Sequence, residues 1–338
     1  MSQRLLLHIG RHKTGTSAIQ NYCCTADEQF ARHGAIYPRA GRRRETGTLF
    51  PAHHQLAVQC HLPSHDPETF DRIRAEFYEE IAGHDLVVLS SEGFQNIRDF
   101  ALLDRFFDGF AQFDVSIICY LREYLSYLVS SYRQMTQNQQ RFLTFARYCR
   151  RDFRIGDFLE EWSAIGDLVT RPFDRGRLKD GDVVADFLDL LGMEREAEGG
   201  RIVNHSIGGN LLFFRLIENR YGIEPIPYRE AEQLAIDHAP FRRAFYISDE
   251  QATQIRASAP YNAIVAKRIG ELELQSYAQE PVVPVLDTID ADLHRVYSGS
   301  RLANMRNRLS HVLEEKENWF EYRPHVRHKD RTKARRVS

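Results

Sequence analysis

Apolar residues along the chain fall into short runs separated by helical spacings. Leu5 to Ile9 is a continuous apolar run that ends in a loop of sequence GRHKTGTS, and the stretch from Ser17 to Gly34 then carries apolar positions at the helical period. This predicts a buried strand, a loop and a helix. The segments from His53 to Leu62 and from Glu68 to Ala82 also have helical spacing, and Asp85 to Ser90 is a second apolar run of strand length. A helix over Phe100 to Phe113 and a third strand over Val115 to Leu121 follow. Leu125, Leu128, Val129, Tyr132 and Met135 then recur at helical intervals. Continuous apolar strands alternating with helices are the pattern of a parallel sheet covered on both faces. The alternation continues beyond Asp157 as a helix (FLEEWSAIG), a strand (DLVTRPF) and a helix (VVADFLDLLGM). The second half is mainly helical, most clearly over Asn210 to Tyr221, Tyr228 to Ile236 and Asp249 to Ala257.

The fold expected is therefore α/β, with three layers, a central parallel sheet and a mainly helical C-terminal portion. With no internal repeat and no low-complexity linker, residues 1–322 read as a single domain, helix-rich from about residue 200, and 323–338 as a basic, solvated tail. Of the 338 residues 43% are hydrophobic and 27% charged, as in globular proteins, and a formal net charge of −2 argues against bulk nucleic-acid binding. No apolar run reaches the roughly 18 residues of a membrane span, so a soluble chain is expected, with membrane contact at most peripheral. The first residues lack a secretory signal. Five cysteines without a CxxC pair fit reduced thiols, a cytoplasmic location and no zinc site.

Candidate chemistry concentrates after the first strand. Arg11, His12, Lys13, Thr14, Gly15, Thr16 and Ser17 lie where strand gives way to helix, and there unpaired backbone N–H groups and the helix dipole favour an anion. Gly10 and Gly15 allow close backbone approach, Lys13 adds a full charge, and the hydroxyls of Thr16 and Ser17 can donate. A nucleoside-triphosphate loop would place its lysine directly after the second glycine, with a strand-end acid for magnesium. Here the lysine precedes that glycine, the second strand ends in Ser90, Ser91 and Glu92, and the third ends in Arg122. Glu92 in the magnesium role would keep a kinase-like reading open. A noncatalytic nucleotide-binding module is the other alternative.

LLLHIGRHKTGTSAIQ resembles the 5′-phosphosulfate loop of the sulfotransferases, in particular a bacterial branch whose loop carries HKTGT. YLREYLSYLVSSYRQ is similar to the 3′-phosphate segment of that family, in which an arginine at a strand end is followed eight positions later by a serine, here Arg122 and Ser130. The coarser pattern continues through LSSEGF, RPFDRGRL, VVADFLDLLGM and the late helix containing Asn262, so the resemblance covers most of residues 4–271. It implies a P-loop fold that binds 3′-phosphoadenosine 5′-phosphosulfate (PAPS) beyond the carboxyl ends of the strands, releases adenosine 3′,5′-bisphosphate and needs no metal.

On this reading the first loop cradles the 5′ end of the donor, while Arg122 and Ser130 hold the 3′-phosphate. Lys13 would stabilise charge on the leaving phosphate oxygen. Glu92 is the leading candidate for the general base that deprotonates a hydroxyl, or less readily an amine, on a small-molecule or glycan acceptor. His54 is the runner-up base, the plain reading of both His53 and His54 being helix-start histidines facing water. Arg171 is a further candidate for contact with the nucleotide, against a strand-end surface role. Tyr127, Tyr132 and the segment from Arg39 to Pro51 are candidate walls for the acceptor, whose identity the sequence does not specify, any more than it specifies an oligomeric state.

Overall fold

The computed structural model describes residues 2–44, 46–139, 141–151, 153–196 and 206–324. The basic tail predicted over 323–338 thus lies almost wholly outside the described residues. The chain forms two compact units, each assembled from separated segments: the first from 1–123, 153–203 and 261–273, the second from 124–152, 204–260 and 274–338.

The first unit is built on five parallel strands, β1 (Gln3–His8), β2 (Ala35–Ile36), β3 (Leu86–Ser90), β4 (Phe113–Leu121) and β5 (Asp167–Pro172), in the order β2-β3-β1-β4-β5. The parallel α/β architecture expected from the apolar runs is present. Alternate side chains enter opposite faces of the sheet. Leu6, Val88, Ile118 and Tyr120 join the core beneath the helices Thr16–Cys23 and Val183–Leu190. Leu5, Leu7, Val87, Leu89 and Ile117 are buried on the other face.

Two local expectations are corrected and one element is added. The single helix expected over residues 17–34 is two, Thr16–Cys23 and Asp27–Arg32, because the Thr25 hydroxyl donates to the carbonyls of Asn21 and Tyr22 (3.2 and 3.0 Å) and ends the first. The helix expected over 100–113 stops at Phe106. Asp108, Gly109 and Phe110 all adopt positive φ, and Phe113 already belongs to β4, where sheet burial outweighs its helical spacing. Finally, β2 was not anticipated, since two residues are too short a run to show a period.

Among the described residues no helix is long and apolar enough to cross a membrane, and all five cysteines are free.

The second unit is helical. The Gly209–Tyr221 helix is its axis and is buried on every side from Gly209 to Glu218. Glu218 lies within it, paired with Arg215 at 3.1 Å and accepting from Tyr297 and Arg301 at 2.9 and 3.0 Å. A charge so deeply buried is tolerable only with such partners. Around the axis, Tyr132, Phe145, Phe245 and Phe320 pack ring against ring. Tyr132 is wholly buried, its hydroxyl donating to the Leu143 carbonyl at 2.8 Å, so it is a core residue and not an acceptor wall. Tyr127 is likewise buried.

Candidate functional site

In the first unit the chain leaves β1 toward β2 and β3 on one side, then crosses to β4 and β5 on the other. β1 therefore sits at the switch point of the sheet, where the connections diverge and open a crevice beyond the strand ends. Three segments meet there: the loop after β1, Ser91 and Glu92 after β3, and Arg122 after β4.

The loop is shaped by close contacts. Gly15 caps the Thr16–Cys23 helix at φ 78°, and a Cβ added there would lie 2.8 Å from both Phe173 and Val183. Gly10 is equally confined, its added Cβ falling 2.9 Å from the Thr16 hydroxyl. Glycine is required at both positions. Lys13, at φ 66°, holds a left-handed conformation that costs a non-glycine residue roughly 1–2 kcal/mol. It is retained because its neighbours fix it. The Thr14 hydroxyl donates to the Arg11 carbonyl at 2.6 Å, and the Arg122 guanidinium donates to the Lys13 carbonyl at 3.2 Å.

Thr14 and Thr16 are buried, with both hydroxyls turned onto the Arg11 carbonyl, so these positions offer a ligand their backbone N–H groups rather than their side chains. The N–H groups of Thr16 and Ser17 take no backbone acceptor among the described residues, as expected in the first turn of a helix without a side-chain cap. Arg11 is buried, its guanidinium 4.9 Å from the centre of the Phe158 ring. Arg122 lies 5.7 Å from that of Phe173.

On the β3 side Glu92 reaches back over the loop, its carboxylate 3.6 Å from Nδ1 of His12. Burial pushes the Glu92 carboxyl up, but His12 beside it, and the positive charge that His54 and His8 can carry, hold it below the usual carboxylate range. His54 stands on the neighbouring His54–Gln59 helix with Nδ1 2.8 Å from the Ser91 hydroxyl, which itself accepts from the Gly93 N–H at 3.0 Å. Loss of hydration lowers the His54 pKa, Glu92 raises it, and His12 and Arg44 lower it further. His12, His54 and Glu92, singled out separately in the sequence, therefore form one electrostatically linked group. Among the described residues no set of three or more His, Cys, Asp and Glu side chains is arranged to hold a metal ion.

No protein-family model, curated protein or solved structure matches this chain. The chemistry is read from its own residues.

Arg171, on β5, is committed to Asp186: its guanidinium donates to both carboxylate oxygens, at 3.1 and 2.5 Å, and Asp186 also accepts from the Tyr120 hydroxyl at 2.8 Å. This network ties β4 and β5 to the Val183–Leu190 helix, so Arg171 has a structural role there. Ser130 belongs to the second unit, half-buried on the Tyr124–Asn138 helix.

The residue that sequence reasoning misplaced most is His53. It does not face water. It is fully buried, with the Ser90 N–H donating to Nδ1 at 3.1 Å and Nε2 lying 2.9 Å from the Pro38 carbonyl, which assigns the ring proton to Nε2. His8, the last residue of β1, is also fully buried, with Nδ1 2.8 Å from the Ser90 hydroxyl and Nε2 without a partner. Burial lowers the His8 pKa to about 4 against the weaker opposing pull of Glu92; burial and then the Arg42 charge lower His53 to about 3.

A pH dependence follows. An unfolded imidazole takes its proton near 6.5, whereas these two resist it in the folded state. Their full contribution to stability is present above that pH and is lost as pH falls toward 4 and 3. Denaturant melts should lose roughly 2 kcal/mol per histidine between pH 7 and pH 5. In His53→Gln, whose amide can replace both hydrogen bonds, that slope should be halved. An unchanged slope would mean that His53 does not resist protonation in the folded state.

Proposed function

We propose that the chain is a sulfotransferase that moves a sulfuryl group from PAPS to a hydroxyl acceptor. The observation that carries this reading is the hydrogen bond from Arg122 to the Lys13 carbonyl, which brings the arginine that ends β4 onto the anion-binding loop that follows β1. PAPS has a phosphosulfate at one end and a 3′-phosphate on the ribose, so it needs two cationic holders at one crevice. Loop amides with Lys13 supply one and Arg122 supplies the other. Lys13 preceding Gly15, and the absence of a strand-end aspartate for magnesium, weigh against a kinase.

In the step proposed, the acceptor oxygen attacks sulfur in line. A new oxygen–sulfur bond forms as the bond from sulfur to the bridging phosphate oxygen breaks, and adenosine 3′,5′-bisphosphate leaves. The acceptor proton passes to Glu92, ionised at neutral pH because its neighbours hold its pKa down. Charge growing on the departing oxygen is met by Lys13 and the loop N–H groups.

Calorimetric titration without metal tests the donor assignment. Adenosine 3′,5′-bisphosphate should bind much more tightly than adenosine 5′-monophosphate, and Arg122→Ala should weaken the bisphosphate by ~10- to 100-fold, the scale of a lost charge-assisted hydrogen-bond pair, and the monophosphate, which loses only the Arg122 hold on the loop, by clearly less. Equal binding of the two nucleotides would defeat the reading. Binding of ATP that requires magnesium would favour a kinase.

A further inference from the structure

The start of the His54–Gln59 helix is locked to the end of β3. The His53 N–H donates to the Ser90 carbonyl at 2.9 Å, while the Ser90 N–H donates to Nδ1 of the His53 ring at 3.1 Å. Ser91 is tied in turn to the end of β1, its N–H donating to the His8 carbonyl at 3.1 Å. Directly after it comes a short 3₁₀ helix, Glu92–Asn96, against which the His54–Gln59 helix lies closely. A Cβ added at Gly93 would fall 2.8 Å from that of Ala57 and 3.1 Å from the Ser91 hydroxyl oxygen, so the two helices approach this near only because residue 93 has no side chain. His54, one turn before Ala57, thereby reaches the strand end with Nδ1 2.8 Å from Ser91 Oγ.

The protons in that contact have one satisfying arrangement. A serine hydroxyl has one proton to give and two lone pairs with which to accept. Ser91 is fully buried, and its Oγ accepts from the Gly93 N–H at 3.0 Å. Among the described residues the only other hydrogen-bond partner of Oγ is Nδ1 of His54. Were Nδ1 to carry the ring proton, the Ser91 proton would be left without an acceptor there. A buried hydroxyl in that state is unfavourable enough to bias two tautomers by ~10-fold or more. The hydroxyl therefore donates to Nδ1, and the neutral ring keeps its proton on Nε2. His54 is itself exposed, and among the described residues Nε2 has no hydrogen-bond partner, so this N–H is open to a ligand.

Glu92 and His54 then offer opposite groups. An ionised carboxylate has only lone pairs, whereas the outer edge of the imidazole in this tautomer has only a proton. An alcohol carries both a proton to be taken and an oxygen to be held. We infer that Ser91 is a positioning residue that holds His54 as the Nε2–H tautomer, so that His54 presents a hydrogen-bond donor to the crevice and leaves the acceptor's proton to Glu92. The use of that donor rests on the transferase reading above; the tautomer does not.

The test is long-range proton–nitrogen NMR on the ¹⁵N-labelled full chain without ligand, at ~pH 8, above the ordinary imidazole value, where it reads which ring nitrogen of each neutral histidine is protonated. His54→Gln identifies the His54 signals. The Nε2–H form should dominate in the wild type, its bias should fall by ~10-fold in Ser91→Ala, and Ser91→Cys should lie between them, because a thiol of similar size is a weaker donor. His53 is the internal control. Its Nδ1 accepts from the Ser90 backbone, so its own Nε2–H pattern should persist in every variant and report an intact strand end. A dominant Nδ1–H form in the wild type overturns the inference, since His54 would then turn a lone pair outward and compete with Glu92 as base. A bias unchanged in Ser91→Ala while the His53 pattern persists overturns it too. If Ser91→Ala disturbs the His53 pattern, the wild type and Ser91→Cys decide: equal bias in the two overturns the inference, and a weaker bias in the thiol supports it. Because no ligand is present, these results stand apart from the nucleotide titration, whose failure would sink the transferase reading and leave the hold of Ser91 on His54 as measured.

Discussion

Lys13→Ala is expected to lower turnover by ~10²- to 10³-fold, and by more if the loop amides depend on the lysine to draw the donor in, which is the range seen when one preorganised donor to a developing oxyanion is removed. The expectation comes from the placement of the residue. Lys13 sits in a loop whose turns are fixed by Gly10 and Gly15 and whose carbonyl is held by Arg122, so its backbone is preorganised before any ligand arrives. The left-handed φ of 66° is a local strain maintained by those neighbours, as is common where a residue must be aimed rather than merely packed. Single-turnover measurements with labelled PAPS separate the two contributions of the residue. If Lys13 acts chiefly on the leaving oxygen, bisphosphate affinity should fall far less than the rate. If both fall together, the lysine is a binding residue. Turnover within a few-fold of wild type would remove it from the mechanism. Lys13→Met is the companion variant, because it keeps an unbranched stem of similar length and removes the charge.

The parts legible in the sequence were those governed by local pattern. Strands β1, β3 and β4 showed as apolar runs because they are buried in the middle of the sheet, β5 showed only by its place in the alternation, and the loop after β1 stood out as a candidate anion site because glycines, a lysine and hydroxyls fall at a strand-to-helix junction. What stayed hidden depends on partners distant in the chain. Arg171 reads as an available cation until Asp186, fifteen residues later, is found against it. Thr16 reads as a hydroxyl donor to a ligand until its side chain is found turned onto the Arg11 carbonyl. His53 and His54 are adjacent and chemically identical, yet one is sealed beneath the sheet edge against Ser90 and Pro38 while the other reaches Ser91 at the crevice. No periodicity separates them, since the difference lies in which of them meets Ser90 and Pro38 and which meets Ser91. The one available signal was Pro51, which fixes where the helix starts, and it does not specify which of two successive imidazoles faces inward.

Glu92→Gln carries the second large effect. A general base contributes ~10²- to 10⁴-fold, so turnover should fall by that factor while bisphosphate affinity, which depends on the loop and Arg122, stays near wild type. The electrostatics add a check that Glu92 carries its charge beside the histidines. Glu92 raises the pKa values of both His8 and His54, so replacing it by a neutral amide should lower both, and imidazole titration by NMR would register the shift. The sign for the carboxyl itself is the reverse. Its folded pKa lies below the ordinary value of 4.5, so its ionisation stabilises the fold above that pH, and that contribution is lost only as pH falls through the depressed value. Across pH 5 to 8 Glu92 therefore stays ionised and should impose no acid limb on the rate. An acid limb within that window, surviving in Glu92→Gln and abolished in His54→Asn, would transfer the base assignment to His54. Its Nδ1 contact with Ser91 would then set which ring nitrogen faces the acceptor, and Ser91→Ala should displace that limb, whereas with Glu92 as base the same substitution should leave the pH profile flat.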